Sequence, residues 1–379
     1  MKLTKLAVAL SVTLVASSAA LADITIGVSL SATGPAASLG IPEKNAFTLM
    51  PTEVGGEKIR LVVLDDATDP TVATKNARRF VSEDKVDAII GSSSTPASAA
   101  IAEVAHEAKT PLVTMSPVSL PAERNEWVFR APQQNTVMAS AVLEHMKAKG
   151  VKTVGFIGFS DAYGEDWLNA VTKQAADAGI KIGPVERYNR TDTSVTGQVL
   201  KLVSAKPDAI LVVGSGSPAA LPQTALVERG YKGQIYQTHA VANQAFLSVA
   251  GKAAEGAILP VGPIVVVDQL AADHPSKKLG GEFARKYEAQ FGAGTLSAFA
   301  GHAVDAFRLI EAAVPVALAK AKPGTPEFRA ALRAAIESNK DVVGVHGVFN
   351  MSPSDHFGLD KRSYVLVRIE NGGYKRVGN

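Results

Sequence analysis

Two stretches of the chain are nearly the same: VDAIIGSSSTPAS at 86–98 and PDAILVVGSGSPAA at 207–220. Each is a short apolar, β-branched run that ends in Gly and Ser and passes through Pro into alanines. The run predicts a strand. The small-residue turn predicts the start of a helix, because Pro suits the first helical turn and Ser or Thr the position before it. Such a turn leaves backbone N–H groups unpaired at the carboxyl end of the strand. A helix N-terminus built this way attracts anions through those groups and through its dipole. The repetition therefore predicts one anion-attracting turn in each half of the chain.

The same rhythm extends through the sequence. Strands are predicted at 24–29, 59–64, 86–90 and 111–114, with helices at 71–82 and 97–108 between them. A second series has strands at 153–159, 180–185, 208–213, 234–237 and 257–261, and helices at 136–149, 164–178, 194–205 and 219–229. Strands alternating with helices argue for parallel sheets covered on both faces, here twice over. The fold class is thus α/β, with two doubly wound parallel-sheet lobes. The tail has helices at 279–291, 296–318 and 326–339 and a hairpin at 364–370 and 374–377 around Asn371, Gly372 and Gly373. It makes no third lobe and has to dock on the other two. Open α/β sheets bind ligands beyond the carboxyl ends of their strands, so the turns at 91–95 and 214–217 are expected to face each other across one cleft.

The first 22 residues read as a leader. Lys2 and Lys5 form a basic start, Leu6 to Ala16 an apolar core, and Ala20, Leu21 and Ala22 an A-x-A cleavage site before Asp23. The apolar run is too short to span a bilayer, so a secreted, periplasmic protein cleaved after Ala22 is expected. The 357 residues that remain of 379 suit two domains. Without the two leader lysines the chain has 37 basic residues against 36 acidic ones, so no net field attracts nucleic acid or anionic lipid. Cysteine is absent, which excludes disulfides, thiolate metal sites and cysteine nucleophiles.

Catalytic patterns are thin. Neither Ser92, Ser93, Ser94 and Thr95 nor the Gly214 to Ser217 turn has the G-x-S-x-G form of a nucleophile elbow, and Ser82 with Lys85 matches S-x-x-K without a K-T-G partner. Gly214, Gly216 and Ala219 loosely match a dinucleotide fingerprint, but the next strand ends in His239, not in the acid that would hold a ribose. No two of the seven histidines are spaced i,i+4 as a metal-binding pair. No enzyme activity, cofactor or metal is expected. His239 stands at a strand end where the cleft should be, and Tyr163, beside Gly164 in a turn after another strand, is a candidate ligand-facing ring with a polar tip. Asp65 and Asp66 read as turn and capping acids.

In its segments ITIGVSLSATGPAASLG, VVLDDATDPTVATKNARRFVSEDKVDAIIGSSSTPAS, TPLVTMSPVS, GFIGFSDAYGEDW, PDAILVVGSGSPAALPQTALVERGYKGQIYQTHAVAN and AAEGAILPVG, and in their order, the chain resembles the leucine/isoleucine/valine-binding proteins of ATP-driven (ABC) importers, the type I periplasmic binding proteins. The resemblance covers essentially all of the chain after the leader. It implies three hinge crossings, near 131–135, 261–263 and 352–358, with 23–132 plus 263–352 forming lobe 1 and 133–262 plus 353–379 lobe 2. It also implies that Ser92, Ser93 and Ser94, with Ser116, Val118 and Ser119 of the 116–119 turn, receive a ligand carboxylate. Tyr163, Gly216 and Ser217 would then close from the other lobe. Two departures bear on the ligand. Amino-acid-binding members have a Glu where His239 stands, to pair with the ligand's ammonium, and an aromatic where this chain reads Ala37, Ser38 and Leu39. The family's disulfide is also missing. A buried ammonium without an anionic partner is costly, whereas an imidazole donates to a carboxylate, carbonyl or hydroxyl. The expectation is a carboxylate ligand without an α-amino group, aromatic or otherwise, bound by a monomer and handed to the permease components of an importer. An amino acid or amide whose ammonium finds another acceptor is the alternative, and a ligand-sensing module of a signalling system a second one.

Overall fold

Ile24–Leu30 is the axis of the first sheet, and all seven of its residues are buried. Uninterrupted burial is what a strand needs when parallel neighbours flank it and helices cover both faces. Those neighbours are Glu57–Asp65 on one side and Ala88–Gly91 on the other. The computed structural model describes residues 23–377, so the leader expected at 1–22 lies outside the described residues. From edge to edge the first sheet runs Glu53–Val54, Glu57–Asp65, Ile24–Leu30, Ala88–Gly91, Leu112–Thr114, Val128–Arg130, parallel except for the first pair.

The second sheet runs Gly373–Arg376, Val365–Glu370, Ile258–Val261, Gln234–Gln237, Ala209–Val213, Thr153–Phe159, Lys181–Tyr188. Its five parallel strands come from the middle of the chain, and the terminal hairpin adds antiparallel to Ile258–Val261. The strands predicted at 153–159 and 234–237 coincide with the observed ones. The strand predicted at 180–185 continues to Tyr188, because an edge strand keeps polar residues such as Glu186 and Arg187 that hide its end in the sequence.

Helices start where polar side chains cap them. Asp69 accepts from the N–H groups of Thr71 and Val72 at 2.6 and 3.2 Å and opens Pro70–Ser82, and Asp161 does the same for Ala162–Ala175. Ala37–Phe47 is a helix despite Gly40 and Pro42, which blur its pattern. Gly40 is needed there, since a Cβ would collide with the Ser31 carbonyl.

After the second sheet the chain returns to the first. Ala298–Leu318, a 21-residue helix that tolerates Pro315, buries Ala303, Phe307, Ile310 and Val314 against Ile24, Ile26, Val28 and Leu30. Ala37–Phe47 and Pro326–Glu337 complete this face, while Pro70–Ser82 and Thr95–Glu107 cover the other through Phe80, Ile101 and Ala105. No helix among the described residues is long and apolar enough to cross a membrane. Phe307 is 1% exposed at the centre of the returning helix. Phe307→Ala is expected to cost about 3–5 kcal/mol, read as a lower urea midpoint.

Candidate functional site

Because strands within each sheet run parallel, their carboxyl ends gather along one edge. From the first sheet, Ser93, Ser94 and Thr95 follow Ala88–Gly91, and Met115, Ser116 and Pro117 follow Leu112–Thr114. From the second, Tyr163 follows Thr153–Phe159, Arg190 follows Lys181–Tyr188, Ser215 follows Ala209–Val213, and His239 and Ala240 follow Gln234–Gln237. These residues, with Leu39 and with Phe299 and His302 of the returning helix, line a cavity between the lobes. The two echoed turns do face one space.

The residues singled out in the sequence divide into three groups. Ser93, Ser94, Ser116, Tyr163 and His239 line the cavity. Ser92 and Val118 lie behind it. The Ser92 hydroxyl donates to Asp66 Oδ2 at 2.6 Å and its N–H to Ser98 Oγ at 2.8 Å, while the Val118 carbonyl accepts from Arg130 Nε at 3.0 Å. Ser119, Gly216 and Ser217 sit at the rim and bridge the lobes. Ser119 Oγ donates to Asp166 Oδ1 at 2.8 Å, and the Ser217 N–H reaches Ser38 Oγ at 3.3 Å. Gly216 has φ +57°, and any Cβ there would strike Ser38, so the close approach requires glycine. Asp66 is a buried turn acid that also accepts from the hydroxyls of Ser29 and Ser31 and the N–H of Thr68.

Arg190 is the feature that sequence reasoning missed. Its Nε donates to Asp161 Oδ2 at 2.6 Å and its Nη1 to Ser215 Oγ at 2.7 Å, and the guanidinium lies 4.2 Å from the centroid of the Phe159 ring. Two of its five N–H donors are engaged in this way, which leaves capacity toward the cavity. Nothing in YNRTD separates this arginine from surface ones; only its place two residues past an edge strand could have flagged it. Phe299 and His302 were hidden for a different reason, since their helix belongs to the tail.

The electrostatics are one-sided. Among the described residues no Asp or Glu lines the cavity, though Asp161 pairs with Arg190 from behind. The nearest acids behind the serine turn are sequestered: Asp66 as described, and Glu43 by a bond to Ser93 Oγ, which also accepts from the Ser31 N–H at 2.9 Å. Burial raises the Glu43 carboxyl well above its ordinary range; the Ser93 bond offsets this only in part, and the charge of Asp66 adds to it. Burial pushes His239 down to about 3, with His346 as a further cause, and it pushes His302 well down, with His346 and His239 assisting. Both imidazoles are therefore neutral near pH 7. Burial also raises the Tyr163 phenol, which stays protonated and donates to Thr238 Oγ1 at 2.9 Å. At the first-lobe wall, Thr95–Glu107 presents its N-terminus without a side-chain cap. One cation, a free helix N-terminus, hydroxyls and neutral imidazoles in an apolar setting are suited to holding a small anion. Among the described residues no group of three or more His, Asp or Glu is placed to hold a metal ion.

Known proteins share this architecture. A family model described as "Periplasmic binding protein" matches residues 23–374. The Leu/Ile/Val-binding protein homolog 3 of Brucella melitensis is 29% identical over 263 residues, covering 66% of this chain and 70% of the relative. An extracellular ligand-binding receptor from Rhodopseudomonas palustris HaA2 is 49% identical, with a TM-score of 0.93 over 94% of this chain and all of that one. An ABC-transporter solute-binding protein from R. palustris, solved in complex with benzoate, has the same fold at 20% identity, with a TM-score of 0.80 over 94% of this chain and 96% of that one. A match that spans both sheets and the cleft between them means that the chain belongs to the periplasmic binding protein family, whose members of the ABC-transporter type bind small molecules and deliver them to permeases.

Proposed function

We propose that this protein captures a small carboxylate without an α-amino group in the interlobe cavity and delivers it to an ABC importer. The observation that carries this reading is Arg190 in a cavity that no acid lines. A carboxylate gains charge-assisted hydrogen bonds from the guanidinium of one lobe and the uncapped helix N-terminus of the other. An ammonium would meet the guanidinium and no acid in the cavity wall, since Asp161 is engaged by Arg190 behind it. The fold is compatible with such a ligand, as the benzoate-bound R. palustris protein has it. The curated relatives named for leucine, isoleucine and valine favour the second reading, an amino acid whose ammonium is accepted by a neutral imidazole.

No chemistry on the ligand is needed. Each lobe holds part of the polar site, so ligand binds the closed arrangement better than an open one and shifts that equilibrium. The rim contacts of Ser38 with Ser217, and of Asp166 with Ser119, belong to closure. Hinges at 131–135, 261–263 and 352–358, lobes divided as above, cleavage after Ala22, a periplasmic monomer and a permease as docking partner complete the proposal.

A thermal-shift screen of ligand-stripped protein against matched panels of amino acids and non-amino carboxylic acids tests it. A ligand at a hundred times its dissociation constant adds about 2.7 kcal/mol of stability, a clear rise in Tm. The rise is expected with the non-amino acids; a rise with amino acids alone would refute the ligand class. Arg190→Gln is expected to weaken acid binding about 10- to 100-fold in calorimetric titration, the range for a lost charged hydrogen bond.

The neutral histidines give a pH signature. The folded His239 titrates below its unfolded value, so the unfolded chain binds more protons as pH falls from about 6.5 toward 3. The unliganded protein should lose up to about 1.4 kcal/mol per pH unit from this residue across that window, and His302 acts in the same direction. Urea midpoints at pH 8, 6 and 5 check this, with His239→Phe flattening the decline.

A further inference from the structure

Three cavity-lining side chains carry a polar atom that is sealed from solvent and has no hydrogen-bond partner among the described residues: His239 Nδ1, His302 Nδ1 and Ser94 Oγ. Buried polar atoms are usually paired in folded proteins; other buried atoms of this chain also lack a partner, and what sets these three apart is that their side chains share one cavity wall. The two histidines reach the cavity from unrelated elements, one at the end of Gln234–Gln237 and one on Ala298–Leu318. Aromatic neighbours hold both rings. Tyr163 and Trp167 lie 6.4 and 6.0 Å from His239 between centroids, and Phe299 and His346 lie 5.7 and 4.5 Å from His302. His346 packs on His302 but does not line the cavity; its Nδ1 engages Asp305 Oδ2 at 3.0 Å, and its buried Nε2 has no partner among the described residues.

An imidazole that burial keeps uncharged offers one N–H and one lone pair. It can accept from a hydroxyl or donate to a carbonyl, but it cannot balance a second negative charge. Arg190 and the helix N-terminus already account for one carboxylate. Resting on the carboxylate reading above, we propose that the unpaired nitrogens of His239 and His302 form a specificity subsite for a hydroxyl or oxo group on the same ligand. The protein then selects hydroxy- or oxo-substituted acids over their unsubstituted counterparts. A site built to hydrogen-bond a hydroxyl rejects the analogue that lacks it strongly, because its own polar atoms are then left buried and unpaired.

The test is calorimetric titration of ligand-stripped protein with matched acids: benzoate against meta- and para-hydroxybenzoate, phenylacetate against para-hydroxyphenylacetate, and pentanoate against its α-oxo derivative. At least one substituted acid is expected to bind about tenfold or more tighter than its parent. In His239→Leu and His302→Leu that ratio should collapse toward one, and His302→Gln, which keeps a donor and an acceptor, should restore part of it. A purely structural role for the histidines would change all affinities and leave the ratio intact. Equal affinities within every pair in the unaltered protein would overturn the subsite and leave the carboxylate reading standing, and that comparison needs no variant to fold. Binding of amino acids with no binding of any acid would overturn both.

Discussion

Parallel strand pairing is the constraint on which the cleft depends. Strands that run the same way finish at the same edge, so each sheet gathers its connecting turns along one line. Gly91 to Thr95 and Gly214 to Ser217 come to one space because Ala88–Gly91 and Ala209–Val213 are inner strands of two such sheets. The helices that follow carry their N-termini to the same place. The site is thus polar for a reason that lies in the backbone, before any side chain is considered.

Side chains then decide the sign. The serine turn is backed by two acids, Asp66 and Glu43, and both are withdrawn from the cavity by the hydroxyls of Ser92 and Ser93. That arrangement orders the turn, and it uses up hydroxyls that a reading of the sequence assigns to the ligand. Arg190 is held from behind by Asp161, which also caps the helix that bears Tyr163. Cation, cap and aromatic ring are fixed as one unit. Histidines enclosed by Trp167, Phe299 and Tyr163 have no means of staying charged, so they act as neutral hydrogen-bonding groups.

Much of this was legible in the chain. The recurrence of strand, turn and helix identified the α/β class, and Thr153–Phe159 and Gln234–Gln237 have the predicted ends because apolar inner strands stop where the small or capping residues begin. Ser93, Ser94, Ser116, Tyr163 and His239 were singled out by one rule, position just after a strand, and all five line the cavity. The rule failed by one residue at Ser92, since a turn alternates between facing the cavity and facing the core. It failed at Ser119 and Ser217 because a turn also has a rim. Arg190 follows an edge strand whose polar residues conceal its end, so the same rule could not be applied there.

By itself the sequence determined the two main sheets, the parallel direction of their inner strands and the presence of an anion-attracting turn in each half, because these follow from local periodicity and turn chemistry; the short antiparallel pair Val342–Val343 and Val348–Phe349 left no such signal. Only the tertiary structure decided which side chains share the cavity. Phe299 and His302 lie some 60 residues beyond His239 in the chain, on a helix that packs against the first sheet while two of its residues reach the cleft. Whether an imidazole is charged, or a serine hydroxyl is free, depends on neighbours brought from distant segments, and no local pattern records them.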